Sequence, residues 1–210
     1  MPEAKAPEVA GPAAGAEGAA PEAARGAPRK RADAQRNQQA LLSAAAEVFV
    51  SAGVDAPVRD IAARAGVGIG TIYRHFPTRA DLIIAVYRHQ VEECAAAGPA
   101  LLASSGSPHV ALTRWISLFV DFLVTKHGLA ALLQSGQASF DGLHEYFLDR
   151  LVPVCDQLLR AAAAAGEVRA DVGALELMRA VGNLCIGGDP RYDARRMVSL
   201  LVAGLRAERD

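Results

Sequence analysis

Residues 58–76 read VRDIAARAGVGIGTIYRHF, and this stretch decides the fold. It predicts two short helices, over about 58–65 and 69–76, joined by a tight turn. Two helices that cross steeply through a three-residue turn need a small residue at the crossing, which Ala62 provides. The turn needs a residue that tolerates a positive φ, which Gly66 provides. The pattern therefore predicts a helix-turn-helix.

The side chains of this motif divide into an inward and an outward set. Apolar side chains are expected to close the space between the helices: Ile61, Val67, Ile72 and Phe76. The second helix then presents five residues outward: Gly70, Thr71, Tyr73, Arg74 and His75. Hydroxyl groups bond phosphates, a threonine methyl can meet a thymine methyl, and arginine reads a guanine edge. The outward set predicts DNA binding; the alternative is a helical hairpin that only packs, with these residues in solvent.

The rest of the ordered sequence is also predicted to be helical. A first helix begins at about Gln38 and ends near Gly53, Pro77 ends the second motif helix, and Thr78 is a plausible N-cap. Further helices are expected at about 79–97, 107–126, 129–135, 141–165, 171–186 and 192–206, with breaks at signals such as Gly98-Pro99 and Gly128. The predicted fold class is all-α: a three-helix head containing the helix-turn-helix, joined to a C-terminal helical bundle.

The charge is unevenly distributed along the chain, although the net charge is only −1. Residues 1–24 carry −3, residues 25–80 carry +5 and residues 81–210 carry −3. A basic segment between two acidic ones suggests that one part of the protein meets a polyanion. Within it, residues 25–31 form a basic arm, which is either a solvated charge run or a contact to DNA.

These patterns divide the chain into three parts. Residues 1–28 consist mostly of Ala, Pro, Gly and Glu without apolar periodicity and are predicted to be a disordered tail. We assign residues 29–78 to a DNA-binding domain and residues 79–210 to a ligand-binding and dimerisation domain.

Several functional classes are disfavoured by the sequence. No apolar run approaches the roughly 20 residues of a membrane span, and the first residues lack the features of a secretory signal, so we expect a cytoplasmic protein with no membrane partner. The cysteines Cys94, Cys155 and Cys185 are far apart and are interpreted as small core residues. Neither metal-ligand spacing nor a nucleophile–base arrangement is present, so no metal, no cofactor and no enzymatic activity are predicted.

Residues 40–86 resemble the TetR family of bacterial transcriptional regulators. The resemblance is carried by Ala65-Gly66-Val67, by residues 70–76 (GTIYRHF) and by the following Pro-x-Arg. It implies a homodimer on a near-palindromic double-stranded operator and a C-terminal bundle that binds an unidentified small-molecule effector and releases DNA. By position, Thr71, Tyr73 and His75 would contact DNA, and Arg79 and Arg59 would reach phosphates.

Two positions depart from the family pattern. Ala56-Pro57 replaces the usual Thr or Ser before the first motif helix, and a proline fits there but removes a side-chain cap. Gly68-Ile69 replaces the usual Ser-Lys, which removes a capping hydroxyl and a cation from the recognition helix.

The C-terminal half offers candidates for dimerisation and for effector binding. The resemblance implies dimerisation through the last two helices, whose apolar residues alternatively belong to the protomer core: Leu177, Val181, Leu184, Cys185, Met197, Leu200, Leu201 and Gly204. The effector candidates are aromatic and histidine residues: Trp115, Phe119, Phe122, Phe140, Phe147, His89, His127 and His144. Aromatic residues at helical spacing more often form core, and single histidines are more often surface residues or satisfied by a partner.

The predicted function is a DNA-binding repressor released by a small-molecule effector. Two alternatives stay open at this stage. One is an activator or a ligand-insensitive regulator with the same head, and the other is a helical-bundle carrier or enzyme.

Overall fold

A computed structural model describes the backbone of residues 23–133, 142–186 and 191–207 and the side chains of 33–123, 142–186 and 191–207. Within these ranges the chain forms eight α-helices and no strand, so the all-α prediction is confirmed. The helices are α1 Ala23–Ala52, α2 Val58–Ala65, α3 Ile69–His75, α4 Arg79–Ser104, α5 Pro108–Leu133, α6 Leu143–Ala164, α7 Ala174–Leu184 and α8 Ala194–Ala203.

By contacts the chain divides into two units, residues 1–36 and 37–210. The described part of the first unit is helical from residue 23 onward. The predicted helix start at Gln38 is therefore too late, and most of the disordered tail predicted for residues 1–28 lies outside the described residues. Residues 29–40 consist largely of Arg, Lys, Ala and Gln, which are good helix formers, so the helix continues further towards the N-terminus than its apolar pattern does.

In the second unit, the C-terminal part of α1 packs as its spacing predicts. Leu41, Ala45 and Phe49 are buried, and Gly53 follows the helix with a φ of 81°. This positive φ is the usual conformation of a glycine just after a helix. The first helix of the head therefore ends where the sequence indicates.

Helix α4 does not stop at Gly98-Pro99 as predicted but continues to Ser104 with Pro99 inside it. Gly98 is buried, and a Cβ atom built on it would overlap Cγ1 of Val154 on α6. The glycine therefore permits a close approach of α4 to α6. The tertiary packing of this helix outweighs the local breaking tendency of the Gly-Pro pair, which is why the prediction was wrong here.

Helix α5 is likewise continuous across Gly128, where two helices were predicted. A glycine inside a helix costs only about 1 kcal/mol relative to alanine. The buried face of α5 includes Leu112, Trp115 and Phe119, all at most 1% exposed. Burying this face stabilises the helix by more than one glycine destabilises it.

Helices α6, α7 and α8 lie within a few residues of their predicted positions. Cys94, Cys155 and Cys185 are free and buried, as interpreted from the sequence. Burial raises the pKa of Cys94 to about 12, so this thiol stays protonated at neutral pH. In the described part of the chain, none of the helices is both long and apolar enough to cross a bilayer.

Replacing Gly98 by alanine is expected to lower the free energy of unfolding by about 1–3 kcal/mol, because the new methyl group overlaps Val154. Urea unfolding followed by circular dichroism measures the change. Gly182→Ala is the matched control, since this helical glycine has open space around its Cβ position and alanine favours helix. Adding Val154→Ala to Gly98→Ala should restore part of the lost stability. A Gly98→Ala variant as stable as the parent would contradict the close contact.

Candidate nucleic-acid interface

The turn between α2 and α3 depends on the backbone of Gly66. This residue adopts φ 65° and ψ 30°, the left-handed conformation that glycine reaches without steric cost. The N–H of Val67 donates to the carbonyl of Ala62 at 3.0 Å, and the N–H of Gly66 donates to that of Ala63 at 3.3 Å. These two hydrogen bonds form a Schellman motif, which ends α2 and turns the chain sharply towards α3.

The apolar side chains of the motif are buried as predicted. Ile61 and Ala62 on α2 are 0% and 4% exposed, and Ile72 on α3 is 1% exposed. Phe76, which follows α3, is also buried, and Val67 is partly buried against the same core. The inward face of the helix-turn-helix is therefore confirmed.

Helix α3 presents its polar face to solvent. Gly70, Arg74 and His75 are exposed, Tyr73 is 49% exposed, and Thr71 is half-buried. Because Ile72 lies inward, Thr71 and Tyr73 lie on the flanks of this short helix, and Arg74 lies on the side opposite to Ile72. Two hydroxyls, a guanidinium and an imidazole thus share an accessible surface, which we call the α3 face.

The two other arginines predicted to contact DNA differ in their surroundings. Arg59 on α2 has a side chain 76% exposed, with Nε 3.5 Å from a carboxylate oxygen of Asp60. Arg79 is half-buried: its guanidinium donates a hydrogen bond to the carbonyl of Val54 and lies 5.6 Å above the ring of Phe49. The structure thus gives Arg79 contacts that join α4 to the head, and a phosphate contact by this residue stays a prediction.

The start of α4 is fixed beside the end of α3 by a capping box. The hydroxyl of Thr78 accepts from the N–H of Asp81 at 3.1 Å, and the Asp81 carboxylate accepts from the N–H of Thr78 at 2.9 Å. The predicted N-cap is therefore confirmed. Reciprocal hydrogen bonds of this kind satisfy backbone donors that the first turn of a helix leaves free.

His89 lies between α4 and α1 and not with the aromatic candidates. Its Nε2 lies 3.0 Å from the hydroxyl of Ser43 on α1 and 3.2 Å from a carboxylate oxygen of Glu93 on α4. The hydrogen bond with His89 lowers the pKa of Glu93. Ser43 and Glu93 were not singled out from the sequence, because neither belongs to a local motif.

The aromatic effector candidates form a stack in the bundle core. Trp115 and Phe119 lie 5.6 Å apart with nearly parallel rings, and Phe147 lies 5.9 Å from Phe119 and 5.7 Å from Phe122. All four side chains are at most 6% exposed. The indole N–H of Trp115 donates to the carbonyl of Cys94 on α4 at 2.9 Å. This arrangement agrees with the core alternative, and effector binding by these residues stays a prediction.

The remaining effector candidates are spread over the C-terminal half. His144 is exposed, and its ring lies 6.0 Å from that of Phe147. The side chains of His127 and Phe140 are outside the described residues. Within the described ranges, no group of three or more His, Cys, Asp or Glu residues is placed to hold a metal ion.

The dimerisation candidates on α7 and α8 fall on both sides of these helices. Leu177, Val181 and Cys185 are buried in the protomer. Leu184, Met197 and Leu201 are half-buried, whereas Leu200 is 57% exposed and Gly204 is exposed. Leu175, in the first turn of α7, is also 48% exposed.

Two short helices joined by a tight turn, with a polar outward face and attached to a helical bundle, define a helix-turn-helix regulator. Comparison with known proteins agrees with this class. The family model described as "Bacterial regulatory proteins, tetR family" matches residues 41–86. The model described as "Transcriptional regulator SbtR-like, C-terminal domain" matches residues 107–207.

The matches to individual proteins cover between 41% and 82% of this chain. The TetR transcriptional regulator SCO0520 from Streptomyces coelicolor is 35% identical, with a TM-score of 0.70 over 82% of this chain and 99% of that one. The transcriptional regulator SrpR from Pseudomonas putida is 29% identical over 72% of this chain and 71% of its own length. The transcriptional repressor LfrR from Mycolicibacterium smegmatis is 37% identical over 41% of this chain and 46% of its own. The chain belongs to the TetR family of transcriptional regulators.

Replacing Gly66 by alanine is expected to lower the free energy of unfolding by about 1–2 kcal/mol, because a Cβ atom disfavours the left-handed conformation. A Cβ atom at this position has no heavy atom within 4 Å, so the loss is conformational and Gly66→Asn should lose less. Gly70→Ala, on α3 and with equally open space, should be neutral or stabilising. Urea midpoints compare the three variants, and equal midpoints for Gly66→Ala and Gly70→Ala would refute the role assigned to the turn.

Proposed function

We propose that this chain is a repressor whose homodimer binds a near-palindromic DNA operator through its two α3 faces and is released by a small-molecule effector. The observation that carries the DNA-binding part is the contrast along α3: Ile72 is 1% exposed, while Tyr73 is 49% exposed and Arg74 and His75 are exposed. This contrast disfavours the packing-only alternative, in which the polar residues would need no common accessible surface. It also disfavours a carrier or an enzyme as the main role.

The residues of the α3 face supply complementary contacts to DNA. The hydroxyls of Thr71 and Tyr73 can donate to phosphate oxygens, which orient the protein on the duplex. Arg74 can donate two hydrogen bonds to a guanine edge in the major groove. Arg59, on the exposed side of α2, adds a cation that can reach a phosphate beside the groove. Family membership supports DNA as the polyanion and the bacterial cytoplasm as the place of action.

Two copies of α3 are needed because one short helix reads only a few base pairs. Half-sites read by a symmetric dimer lie about 34–36 Å apart, one turn of the DNA helix. We assign dimerisation to α7 and α8, whose exposed apolar residues Leu175 and Leu200 are not required by the protomer core. A two-fold interface would bury both residues against their symmetry mates or neighbours.

Release by an effector requires two states of the dimer with different head separations. An effector that favours the state unable to span both half-sites lowers the DNA affinity by the same coupling free energy, typically about 1–3 kcal/mol. Helix α4 is the proposed lever, since its first turn is capped next to α3 and its later residues pack among the stacked aromatics. The repressor LfrR, a relative, supports repression as the outcome.

A Tyr73→Ala variant tests DNA binding by the α3 face. The side chain is 49% exposed, so the free energy of unfolding should change by less than about 0.5 kcal/mol. Affinity for an operator selected from random DNA should fall about tenfold or more, as expected when a hydrogen bond to a charged phosphate worth roughly 1.5–3 kcal/mol is lost. Fluorescence anisotropy with labelled duplex measures the affinity. The control is Val50→Ala, at an apolar side chain 57% exposed on α1, which should bind as the parent does. Equal binding by both variants would rule out the proposed interface.

A Leu200→Glu variant tests the assignment of the dimer interface. Two carboxylates brought into an apolar interface would be desolvated without partners, so the dimer should dissociate into the 21.9 kDa chain. Light scattering after size exclusion measures the mass. Val50→Glu is the control, because Val50 is also 57% exposed but lies on α1, and this variant should remain dimeric. Should Leu200→Glu keep the dimer mass, the interface does not lie at this part of α8.

A further inference from the structure

Ile69, the first residue of α3, has an aliphatic side chain that the protomer leaves in solvent. It is 45% exposed, whereas Ile72 on the same helix is 1% exposed. Single exposed apolar residues are common on protein surfaces and need no explanation by themselves. Ile69 differs because of its position beside residues that are proposed to read DNA.

The surroundings of Ile69 place it on the α3 face. Tyr73 lies four residues further along the helix, on the same side, and is 49% exposed. Both neighbours in the sequence, Gly68 and Gly70, are exposed and have no side chain. The residues on either side of Ile69 in the sequence therefore add no side chain beside it, and the exposed part of its own side chain is available for contact.

The chemistry of Ile69 restricts what it can recognise in DNA. An aliphatic side chain neither donates nor accepts hydrogen bonds, so it cannot satisfy the polar groups of a base edge. The C5-methyl group of thymine is the apolar feature of the major groove. Contact with a different base would remove water from polar edge atoms without replacing their hydrogen bonds, which is unfavourable.

We propose that Ile69 is a specificity-determining residue that packs against a thymine C5-methyl group in each operator half-site. This inference rests on the proposed DNA-binding function and adds the base that the α3 face selects at this position. The contact is apolar, so its contribution should be independent of salt, unlike that of the phosphate contacts.

Replacing thymidine by deoxyuridine measures the contribution of the methyl group alone. Deoxyuridine forms the same base pair and differs only in lacking the C5-methyl group. A duplex is first selected from random DNA with the full chain, and each thymine of the selected half-sites is then replaced by deoxyuridine in turn. For the parent protein, one symmetric position should weaken binding by about fourfold for each half-site, the effect of removing one buried methyl group. A selected site without such a position would overturn the inference.

The variant Ile69→Ala connects this position to the side chain. It should bind the thymine duplex more weakly than the parent does but lose little further affinity when deoxyuridine replaces the sensitive thymine. The matched control is Val50→Ala, which shortens a β-branched side chain 57% exposed on α1 and should keep the full deoxyuridine penalty. If Ile69→Ala keeps the parent's penalty at every position, Ile69 does not read the methyl group.

The outcomes also separate this inference from the function on which it rests. Failure of the parent protein to enrich any duplex from the random pool would overturn DNA recognition itself. Enrichment of a duplex that shows no methyl-sensitive thymine, or equal sensitivity in parent and Ile69→Ala, would overturn only the role of Ile69.

Discussion

The burial of Ile72 in the core that it shares with Ile61 and Ala62 is the interaction on which the DNA-binding surface depends. Helix α3 has only seven residues, and a helix of that length is not stable in water by itself. It forms because Ile72 is packed into the core, and this packing also fixes the rotation of the helix about its axis. When Ile72 points into the core, Tyr73 lies on the exposed part of the helix surface. The same contact therefore stabilises the recognition helix and sets its orientation, so that stability and recognition have one physical origin.

Helix α4 connects the helix-turn-helix to the bundle. Its first turn is held by the capping box of Thr78 and Asp81 immediately after the helix-turn-helix. Its later part approaches α6 closely at Gly98 and accepts a hydrogen bond from Trp115 on α5 at the carbonyl of Cys94. A close-packed helix of this kind moves as a unit, because its neighbours interlock with it. Under the proposed effector mechanism, a change in the packing of the aromatic stack would reach the head through this helix.

The sequence predicted best those features that depend on neighbouring residues. The helix-turn-helix and its inward residues follow from Gly66 and the apolar spacing around it, and these signals are local. The break at Gly98-Pro99 was wrong because the decisive contact, with Val154, involves a residue distant in the sequence. Likewise, the spacing of Trp115 and Phe119 shows that they share a helix face but not whether that face meets protein or ligand. Both residues are buried in the bundle, which agrees with the core alternative, and effector binding by them stays a prediction.

Two residues predicted to contact DNA or an effector also make contacts within the protein, while their predicted roles stay predictions. Arg79 donates to the carbonyl of Val54 and covers Phe49, and His89 lies within hydrogen-bonding distance of Ser43 on α1. A substitution at either position changes how α4 meets the head, and through it the placement of α3 in a dimer. Weaker DNA binding by such a variant would thus be expected without any direct contact to phosphate or effector. A phosphate contact by Arg79 requires a separate signature, a smaller salt dependence of the binding constant, because only lost charge contacts to DNA reduce the number of counterions released.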